Sequence, residues 1–413
     1  MRASRVVILA ILGGVMLACS PIPRPGSWHV LGPIPNLSFA EQMVALPNGS
    51  ALVFGEALSA PNTQPLPAAA VYEATTNTWR PIALPPIQVV GATLTALRDG
   101  TVLLAGGTLG PQTSAAAFLY QPGANQWVRT GDMMQARASD SATLLRDGRV
   151  LVVGGLRDGQ SLASCEVYDP GSRTWALVKP LPHTRVYQTS VLMSDGRVMI
   201  AGGDHDAPAG GSENGIQPGT SPGTGAYTSA EIYDPRLDSW SELSEPTTIE
   251  DPNLLPLRDG ELLVYGGHFG FQASNLVYLY DPHSGLWSSR GTAKGGGVAI
   301  ELTDGRILFP ESLWTYDPSQ DLWMPVTQVP TGTAFGSLTF LKPDGTVLVI
   351  AIDSSQQHAI ALIFDASGFP PLPGSSGPLA DSRATSVLLI VTFVLMLLIG
   401  ARYLMGSRRS IGA

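Results

Sequence analysis

The chain has 413 residues, enough for one large hydrophobic core or for two to three ordinary ones. Hydrophobic residues make up 44% of it and charged residues only 14%, a balance that excludes a disordered chain. The net charge of −9, with no basic stripe, argues against a nucleic-acid partner. Cys19 and Cys165 are the two cysteines, too few for a disulfide framework or a four-cysteine metal site.

The N-terminus has the pattern of an export signal. Two arginines precede an uncharged apolar run, residues 6–17, and Cys19 follows directly after a small residue. The cysteine makes this segment similar to a bacterial lipoprotein signal. We expect a signal peptide over 1–18, a lipid attached to Cys19, and a linker over 19–25. An ordinary signal peptide, or an uncleaved anchor, is the alternative.

A turn dipeptide recurs seven times along the chain. The copies are Asn48-Gly49, Asp99-Gly100, Asp147-Gly148, Asp195-Gly196, Asp259-Gly260, Asp304-Gly305 and Asp344-Gly345. Apolar runs flank the dipeptides, which predicts pairs of antiparallel strands joined by a tight turn, because both residues tolerate the positive φ of such turns. Four copies are followed by a double glycine, namely Gly106-Gly107, Gly154-Gly155, Gly202-Gly203 and Gly266-Gly267.

A tyrosine precedes a tryptophan by seven positions in six places, in phase with the turn dipeptides. The pairs are Tyr72/Trp79, Tyr120/Trp127, Tyr168/Trp175, Tyr233/Trp240, Tyr280/Trp287 and Tyr316/Trp323. The two markers together predict repeats of a four-stranded meander, each on the order of 50 residues long.

This repeat of turn, double glycine, tyrosine and tryptophan resembles the Kelch family over residues 26–366. The resemblance implies an all-β fold, a seven-bladed β-propeller in which each repeat forms one four-stranded blade. A single blade cannot bury both faces of its sheet, so neighbouring blades must stack, with tyrosine and tryptophan between them. Blades one, six and seven lack the double glycine and are degenerate copies.

The two chain ends are expected to share the last blade. The seventh repeat has Phe364-Asp365 but no tryptophan after it, whereas Trp28 precedes the first turn with no tyrosine ahead of it. We therefore expect the strand around Trp28 to close blade seven. Such closure removes the open sheet edge that would otherwise invite aggregation.

The C-terminus has the pattern of a membrane span. A Pro/Gly/Ser-rich linker over 367–383 leads to 384–401, which carry no charge, and three arginines follow. We expect a transmembrane helix over 384–405 and a cytoplasmic tail over 406–413, which places the propeller outside the cytoplasm on the cell membrane. A removable sorting tail is the alternative.

Strand order determines which segments lie on which side of a propeller. Loops between second and third strands, and connections between blades, lie on one side (the loop face), and the turn dipeptides lie on the other (the turn face). A Gly/Pro/Ser/Thr-rich insertion over 204–227 lies on the loop face. Charged loop residues there suit recognition of a protein or glycan, with solvated loop charges as the alternative. The candidate binding residues are Arg137, Arg157, His183, Arg185, Asp204, His205, Asp206, Glu250, Asp251, His268 and Lys294.

The resemblance extends to radical-copper sugar and aldehyde oxidases, whose bodies are Kelch-type propellers. Segment 185–190 is similar to one of their repeats, and their chemistry implies a cysteine–tyrosine cross-link and two histidine ligands. This chain has no Tyr-His pair, and Cys165 precedes the structural Tyr168. The triplet at 204–206 is too compact to present three metal ligands. We expect a recognition module without cofactor or catalysis. The alternatives are a galactose-oxidase-like oxidase and an architectural envelope protein.

Overall fold

A computed structural model describes the propeller region of the chain. The described residues are 25–57, 66–86, 88–109, 112–203, 230–243, 252–269, 272–330, 332–353 and 358–369. Their regular structure is entirely β-strand, and they contain no helix long and apolar enough to cross a membrane. The predicted signal peptide, Cys19, the insertion over 204–227 and the predicted C-terminal helix lie outside these ranges and stay predictions.

The described strands form seven antiparallel sheets of four or five strands, one for each blade in chain order, and two separate two-stranded hairpins. The closing strand is β1 (Ser27–Pro33). Blade one contains β2 (Phe39–Ala45), β3 (Ala51–Ala57), β4 (Leu66–Glu73) and β5 (Thr78–Pro81). Blade two contains β6 (Gln88–Ala96), β7 (Val102–Leu109), the short β8 (Gln112–Thr113), β9 (Ala117–Gln121) and β10 (Gln126–Arg129).

Blades three and four follow the same order. Blade three contains β11 (Ser141–Leu144), β12 (Val150–Val153), a small hairpin of β13 (Leu156–Arg157) and β14 (Gln160–Ser161), then β15 (Cys165–Asp169) and β16 (Thr174–Val178). Blade four contains β17 (Thr189–Leu192), β18 (Val198–Ala201), β19 (Ala230–Asp234) and β20 (Ser239–Leu243).

The last three blades complete the ring. Blade five contains β21 (Asn253–Pro256), β22 (Leu262–Tyr265), a small hairpin of β23 (His268–Phe269) and β24 (Gln272–Ala273), then β25 (Leu276–Asp281) and β26 (Leu286–Thr292). Blade six contains β27 (Ile300–Glu301), β28 (Ile307–Phe309), β29 (Trp314–Asp317) and β30 (Leu322–Pro325). Blade seven contains β31 (Thr333–Leu341), β32 (Val347–Asp353) and β33 (His358–Asp365), and the order of its sheet is β1-β33-β32-β31.

The predicted turns are present in all seven blades, with one difference in geometry. In blade three the backbone N–H of Leu145 donates to Arg149 O at 2.8 Å, which leaves a three-residue loop. Only Gly148 takes a positive φ, of 94°. Asp147 instead accepts the Arg149 N–H through Oδ1 at 3.0 Å. The expectation that both residues supply positive φ is therefore wrong for the aspartate, which acts as a side-chain cap.

The hydrophobic core is divided among the interfaces between blades. Seven clusters occur in the described part of the chain, and each draws its residues from two neighbouring blades. The cluster between blades seven and one, for example, contains Ile350 and Val53. The aromatic marker pairs lie in these interfaces, with the rings of Tyr168 and Trp175 5.0 Å apart. The apolar faces of each sheet are thus covered by the next blade.

The N-terminal strand closes blade seven, as the position of Trp28 predicts. Strand β1 pairs antiparallel with β33, so that Trp28 lies opposite Phe364 with ring centroids 4.9 Å apart. Ser27 lies opposite Asp365, so the chain enters and leaves the propeller at the same end of this blade. That end carries the Asp344-Gly345 turn, because Val347, just after the turn, also pairs with Phe364.

Candidate binding site on the loop face

Arg137, in the connection that leads into β11, has a fully buried side chain. Its guanidinium donates to Glu166 Oε1 at 2.7 Å, to Gly154 O at 2.7 Å and to Ser164 O at 2.9 Å. The side chains of Arg137 and Glu166 are both 0% exposed, so this is an internal ion pair. A buried charge pair needs such additional hydrogen bonds to offset its desolvation.

Glu166, on β15, also holds the loop from which Arg137 comes. Its carboxylate accepts the backbone N–H groups of Met134 at 2.6 Å and Gln135 at 3.0 Å. A buried carboxylate that binds an arginine and two backbone donors fixes the loop in one conformation. The connection between blades two and three is therefore rigid at this point.

Blade four repeats the arrangement 48 residues later. Arg185 is fully buried, donates to Gly202 O at 2.8 Å and places Nε 3.4 Å from Glu231 Oε2. The repeat adds one feature, because His183 Nδ1 lies 3.2 Å from Glu231 Oε1 while 53% of the His183 side chain is exposed. A buried carboxylate thus orients an imidazole that faces solvent.

The double glycine of blade three lets the Arg185 loop approach closely. Gly155 N–H donates to Arg185 O at 2.8 Å. A Cβ on Gly154, whose φ is 61°, would lie 2.5 Å from the same carbonyl oxygen. No larger residue fits there. The sequence-based interpretation of the double glycine as a point of close backbone approach is confirmed.

The structure brings four of the predicted site residues together on blades three and four, namely Arg137, Arg157, His183 and Arg185. Arg137 and Arg185 point inward, so they can shape a binding surface through the loops they hold. Arg157 lies in β13 with a half-exposed side chain, 3.7 Å from Asp158. Direct ligand contact by any of these residues stays a prediction.

The other predicted residues do not join this group. Lys294 lies in the connection between blades five and six, where its Nζ is 5.3 Å from the ring centroid of Trp314. His268 lies in β23, opposite Ala273. Asp204, His205, Asp206, Glu250 and Asp251 lie outside the described residues.

Three residues of left-handed backbone conformation link blades two, three and four on the loop face. Gly91, Ser139 and Tyr187 have φ values of 68°, 55° and 62°, and they are spaced 48 residues apart. Ser139 N–H donates to Gly91 O at 2.7 Å, and Tyr187 N–H donates to Ser139 O at 3.2 Å. Tyr187 is 44% exposed. The series therefore fixes an aromatic side chain at the surface.

Sequence reasoning missed Tyr187 as a site residue, although the signal was present. Its backbone conformation is strained for a residue with a bulky side chain. The same position in the two preceding blades is held by glycine and serine, so the repeat does not need an aromatic ring there. The signal that could have identified Tyr187 is an aromatic residue at a repeat position that holds small residues in the two preceding blades.

Two further polar residues lie at the start of the first strands, Asp140 in blade three and Gln188 in blade four. Burial raises the pKa of the Asp140 carboxyl to about 7, although the charge of Arg137 opposes the change. Gln188 is buried and donates to Val153 O at 2.7 Å. Both residues come directly after the left-handed positions and face the preceding blade.

An open cavity of about 560 Å³ adjoins this surface on blade two. Its lining includes Leu109, Phe118 and the ion-paired Arg129 and Asp132. The volume lies in the range of small-ligand sites. A second cavity, of about 570 Å³, lies on the turn face between the turns of blades one and two. The turn face therefore also carries a cavity of ligand size.

The described residues do not fit a copper centre. Burial raises the pKa of the Cys165 thiol to about 12, and its Sγ lies 3.5 Å from the Ala163 carbonyl within the core. Tyr168 packs on Trp175, as the structural tyrosines of blades one, two, four, five and six pack on their tryptophans. Within the ranges that the structure describes, no group of three His, Cys, Asp or Glu side chains could hold a metal ion.

Comparisons with known proteins agree with this architecture. A family model described as the Kelch motif matches residues 137–182, which is blade three. No curated protein matches the sequence. One solved structure of similar fold is described as a novel fungal alcohol oxidase with catalytic diversity among the AA5 family, in complex with copper. The TM-score is 0.62 at 18% identity, over 84% of this chain and 79% of that chain, a likeness that shows the fold alone. The chain is thus a seven-bladed β-propeller with a Kelch motif in blade three, and its fold is similar to that of this copper-bound alcohol oxidase.

Proposed function

We propose that the propeller is a recognition module that binds a glycan or polypeptide at the loop face of blades three and four. The observation that carries the proposal is the exposed ring of Tyr187 on a backbone fixed by hydrogen bonds to the neighbouring blade. Tyrosine offers a large apolar surface and a hydroxyl, and it loses little conformational entropy on binding.

The surroundings of Tyr187 support this proposal. His183 and Arg157 are half-exposed polar side chains on the same two blades. The buried Arg137–Glu166 and Arg185–Glu231 pairs hold the loops before a ligand arrives. A surface that is rigid in the free protein loses less free energy to ordering on binding. Aromatic and hydrogen-bonding side chains together suit sugar rings and peptide groups.

We propose further that the module is tethered to a membrane and acts outside the cytoplasm. The proposal rests on the N-terminal signal pattern with Cys19 and on the uncharged run 384–401. The chain enters and leaves blade seven at the same end, which is compatible with attachment on that side. Fatty-acid labelling that is lost in Cys19→Ser, with protease sensitivity of the propeller on intact cells, is the expected result. Label retained in Cys19→Ser would rule out lipidation at that residue.

A glycan and peptide array tests the binding function. The full-length chain should bind a defined set of ligands, and Tyr187→Ala should weaken that binding at least about tenfold. Leu237→Ala is the matched control, because Leu237 is 72% exposed on the turn face of blade four. Equal binding by Tyr187→Ala and the control would overturn the placement of the site.

The array, together with an assay for copper-dependent peroxide release, distinguishes two other functions. An oxidase would release peroxide in a copper-dependent manner and bind nothing on a broad array. An architectural envelope protein would show neither activity, and its cellular role would be unchanged in Tyr187→Ala. Replacement of Arg137 and Arg185 is a poor test of binding, since both side chains are buried and their loss disturbs the fold.

A further inference from the structure

Asp140 and Gln188 occupy the same place in successive blades. Each follows the buried arginine of its loop by three positions and directly precedes the first strand of its blade, β11 or β17. The 48-residue spacing between them is the spacing of the two blades. The contacts of Gln188 in blade four therefore indicate which contacts this position requires of Asp140 in blade three.

Gln188 fastens blade four to blade three. Its amide Nε2 donates to Val153 O at 2.7 Å and lies 3.3 Å from Ser141 Oγ. Val153 is the last residue of β12, and it pairs with Ser141 across the sheet. A side-chain donor at this position thus satisfies a backbone carbonyl of the preceding blade, next to its double glycine.

Asp140 faces the equivalent groups of blade two. The residues that correspond to Ser141 and Val153 are Thr93 and Ala105, which pair in the same way. Asp140 Oδ2 lies 3.5 Å from Thr93 Oγ1, and Thr93 Oγ1 lies 3.5 Å from Ala105 O. Asp140 Oδ1 is buried and has no hydrogen-bond partner, and it points toward Gly106. An ionised carboxylate has no hydrogen to donate to the Ala105 carbonyl.

We propose that Asp140 is a proton-operated latch between blades two and three. In the closed state its protonated carboxyl donates to Thr93 Oγ1, and the Thr93 hydroxyl donates to Ala105 O. When the latch opens, the proton passes to solvent, and the Thr93 hydroxyl donates to the ionised carboxylate instead of to Ala105 O. The inter-blade contact is then weakened, because a buried carbonyl loses its donor.

The charges around Asp140 agree with this behaviour. Arg137, from its own loop, and Glu166, from β15, are the charged groups that act on it, and their effects oppose each other. Thr93 supplies a hydroxyl from β6, and the double glycines at Gly106 and Gly155 bring only backbone. Burial is the largest influence, and it sets the pKa of Asp140 at about 7.

Amide hydrogen exchange of the full-length chain tests the latch at one hydrogen bond. Gly107 N–H donates to Arg137 O at 2.9 Å across the interface between blades two and three. Because each opening event releases one proton, the equilibrium constant for opening the latch rises about tenfold per pH unit. Exchange at Gly107, corrected for base catalysis, should therefore rise about tenfold per unit up to about pH 7 and then level off. Gly266, which donates to Leu276 O in blade five, is the internal control and should show no such rise.

Two substitutions decide the outcome. Asp140→Asn supplies a permanent donor, so exchange at Gly107 should become independent of pH at the low rate of the protonated wild-type chain. Gln188→Glu should keep the rise at Gly107 and add a rise at Gly155, whose N–H donates to Arg185 O beside Gln188. A rise at Gly107 that persists in Asp140→Asn would overturn the proposal, as would a wild-type chain without any rise. Should Asp140→Asn fail to fold, the wild-type chain and Gln188→Glu still decide it.

Discussion

The indole Nε1 of Trp28 donates to the carbonyl oxygen of Thr327 at 3.0 Å, a bond between residues 299 positions apart. Trp127 makes the same bond to Ala83 O at 2.9 Å inside the ring. In both cases a tryptophan of a fourth strand reaches the carbonyl two residues beyond the fourth strand of the preceding blade. Trp28 therefore gives blade seven the inter-blade bond that the chain elsewhere builds from consecutive repeats.

Removal of residues 20–32 should destabilise the propeller far more than its length suggests. The deletion exposes the edge of β33 and the Phe364 ring that packs on Trp28. Trp28→Ala alone should cost about 3 kcal/mol in the free energy of unfolding, measured by urea titration. Val30→Ala on the same strand is the control, because Val30 is 51% exposed. A truncated chain that unfolded at the same urea concentration as the full chain would contradict closure by β1.

Arg137→Met should cost about 3–5 kcal/mol in unfolding free energy, because it leaves the buried Glu166 carboxylate without its cation. The matched control is Arg157→Met, at a half-exposed guanidinium, where a change below about 0.5 kcal/mol is expected. Urea unfolding of both variants measures the difference. Equal destabilisation by the two substitutions would show that the Arg137 pair is not an internal structural contact.

Tyr187→Gly should separate stability from binding. The backbone at Tyr187 has φ 62°, where glycine is more favourable than other residues by about 1 kcal/mol. The variant should therefore unfold at the same or a higher temperature than wild type while it loses the ligand. Calorimetry and a binding titration on the same sample provide the check. A lower melting temperature would mean that the ring also supports the fold.

Cys165 should resist alkylation in the folded chain. Its pKa is raised to about 12 by burial, so the thiol stays protonated at about pH 8, and reaction should be about a thousandfold slower than for an ordinary cysteine. Mass mapping of the Cys165 peptide after timed treatment with iodoacetamide, with and without urea, measures this. Equal labelling in both conditions would contradict the buried position.

The stability of the whole propeller should fall as the pH rises toward neutrality. The folded pKa of Asp140, about 7, lies above its ordinary value of 3.8, so the folded state retains a proton that the unfolded state has lost. The proton on Asp140 makes its full contribution to stability below the ordinary pKa of 3.8, and this contribution is lost as the pH rises through about 7. The loss is at most about 4 kcal/mol in the free energy of unfolding. Urea midpoints across this range should depend less on pH in Asp140→Asn. An unchanged dependence would show that other groups cause it.

The fold was largely predictable because its repeat is short and its markers are local. The turn dipeptides and the Tyr/Trp spacing report strand ends and inter-blade packing directly, and the unpaired Trp28 was sufficient to predict closure. The backbone conformation of individual turn residues was harder to predict than the repeat itself. The sequence could not show that only Gly148, and not Asp147, takes the positive φ of its turn.

The candidate site was less predictable because burial depends on contacts between distant residues. In the sequence, Arg137 and Arg185 are simply charged loop residues. Only the fold shows that their side chains are buried and paired with glutamates. A signal existed, since Glu166 and Glu231 each stand two residues before the marker tyrosine of their blade. The role of Asp140 follows from its comparison with Gln188 in three dimensions, which requires the register of both strands.

The most direct test of the central claim is a hydrogen-exchange footprint of the full-length chain with and without a ligand taken from the array. We expect slower exchange at residues 183–190 and around Arg157, on the loop face of blades three and four, and no change at the seven turns. Protection confined to the turn face, for example around the cavity beside Arg98, would contradict it.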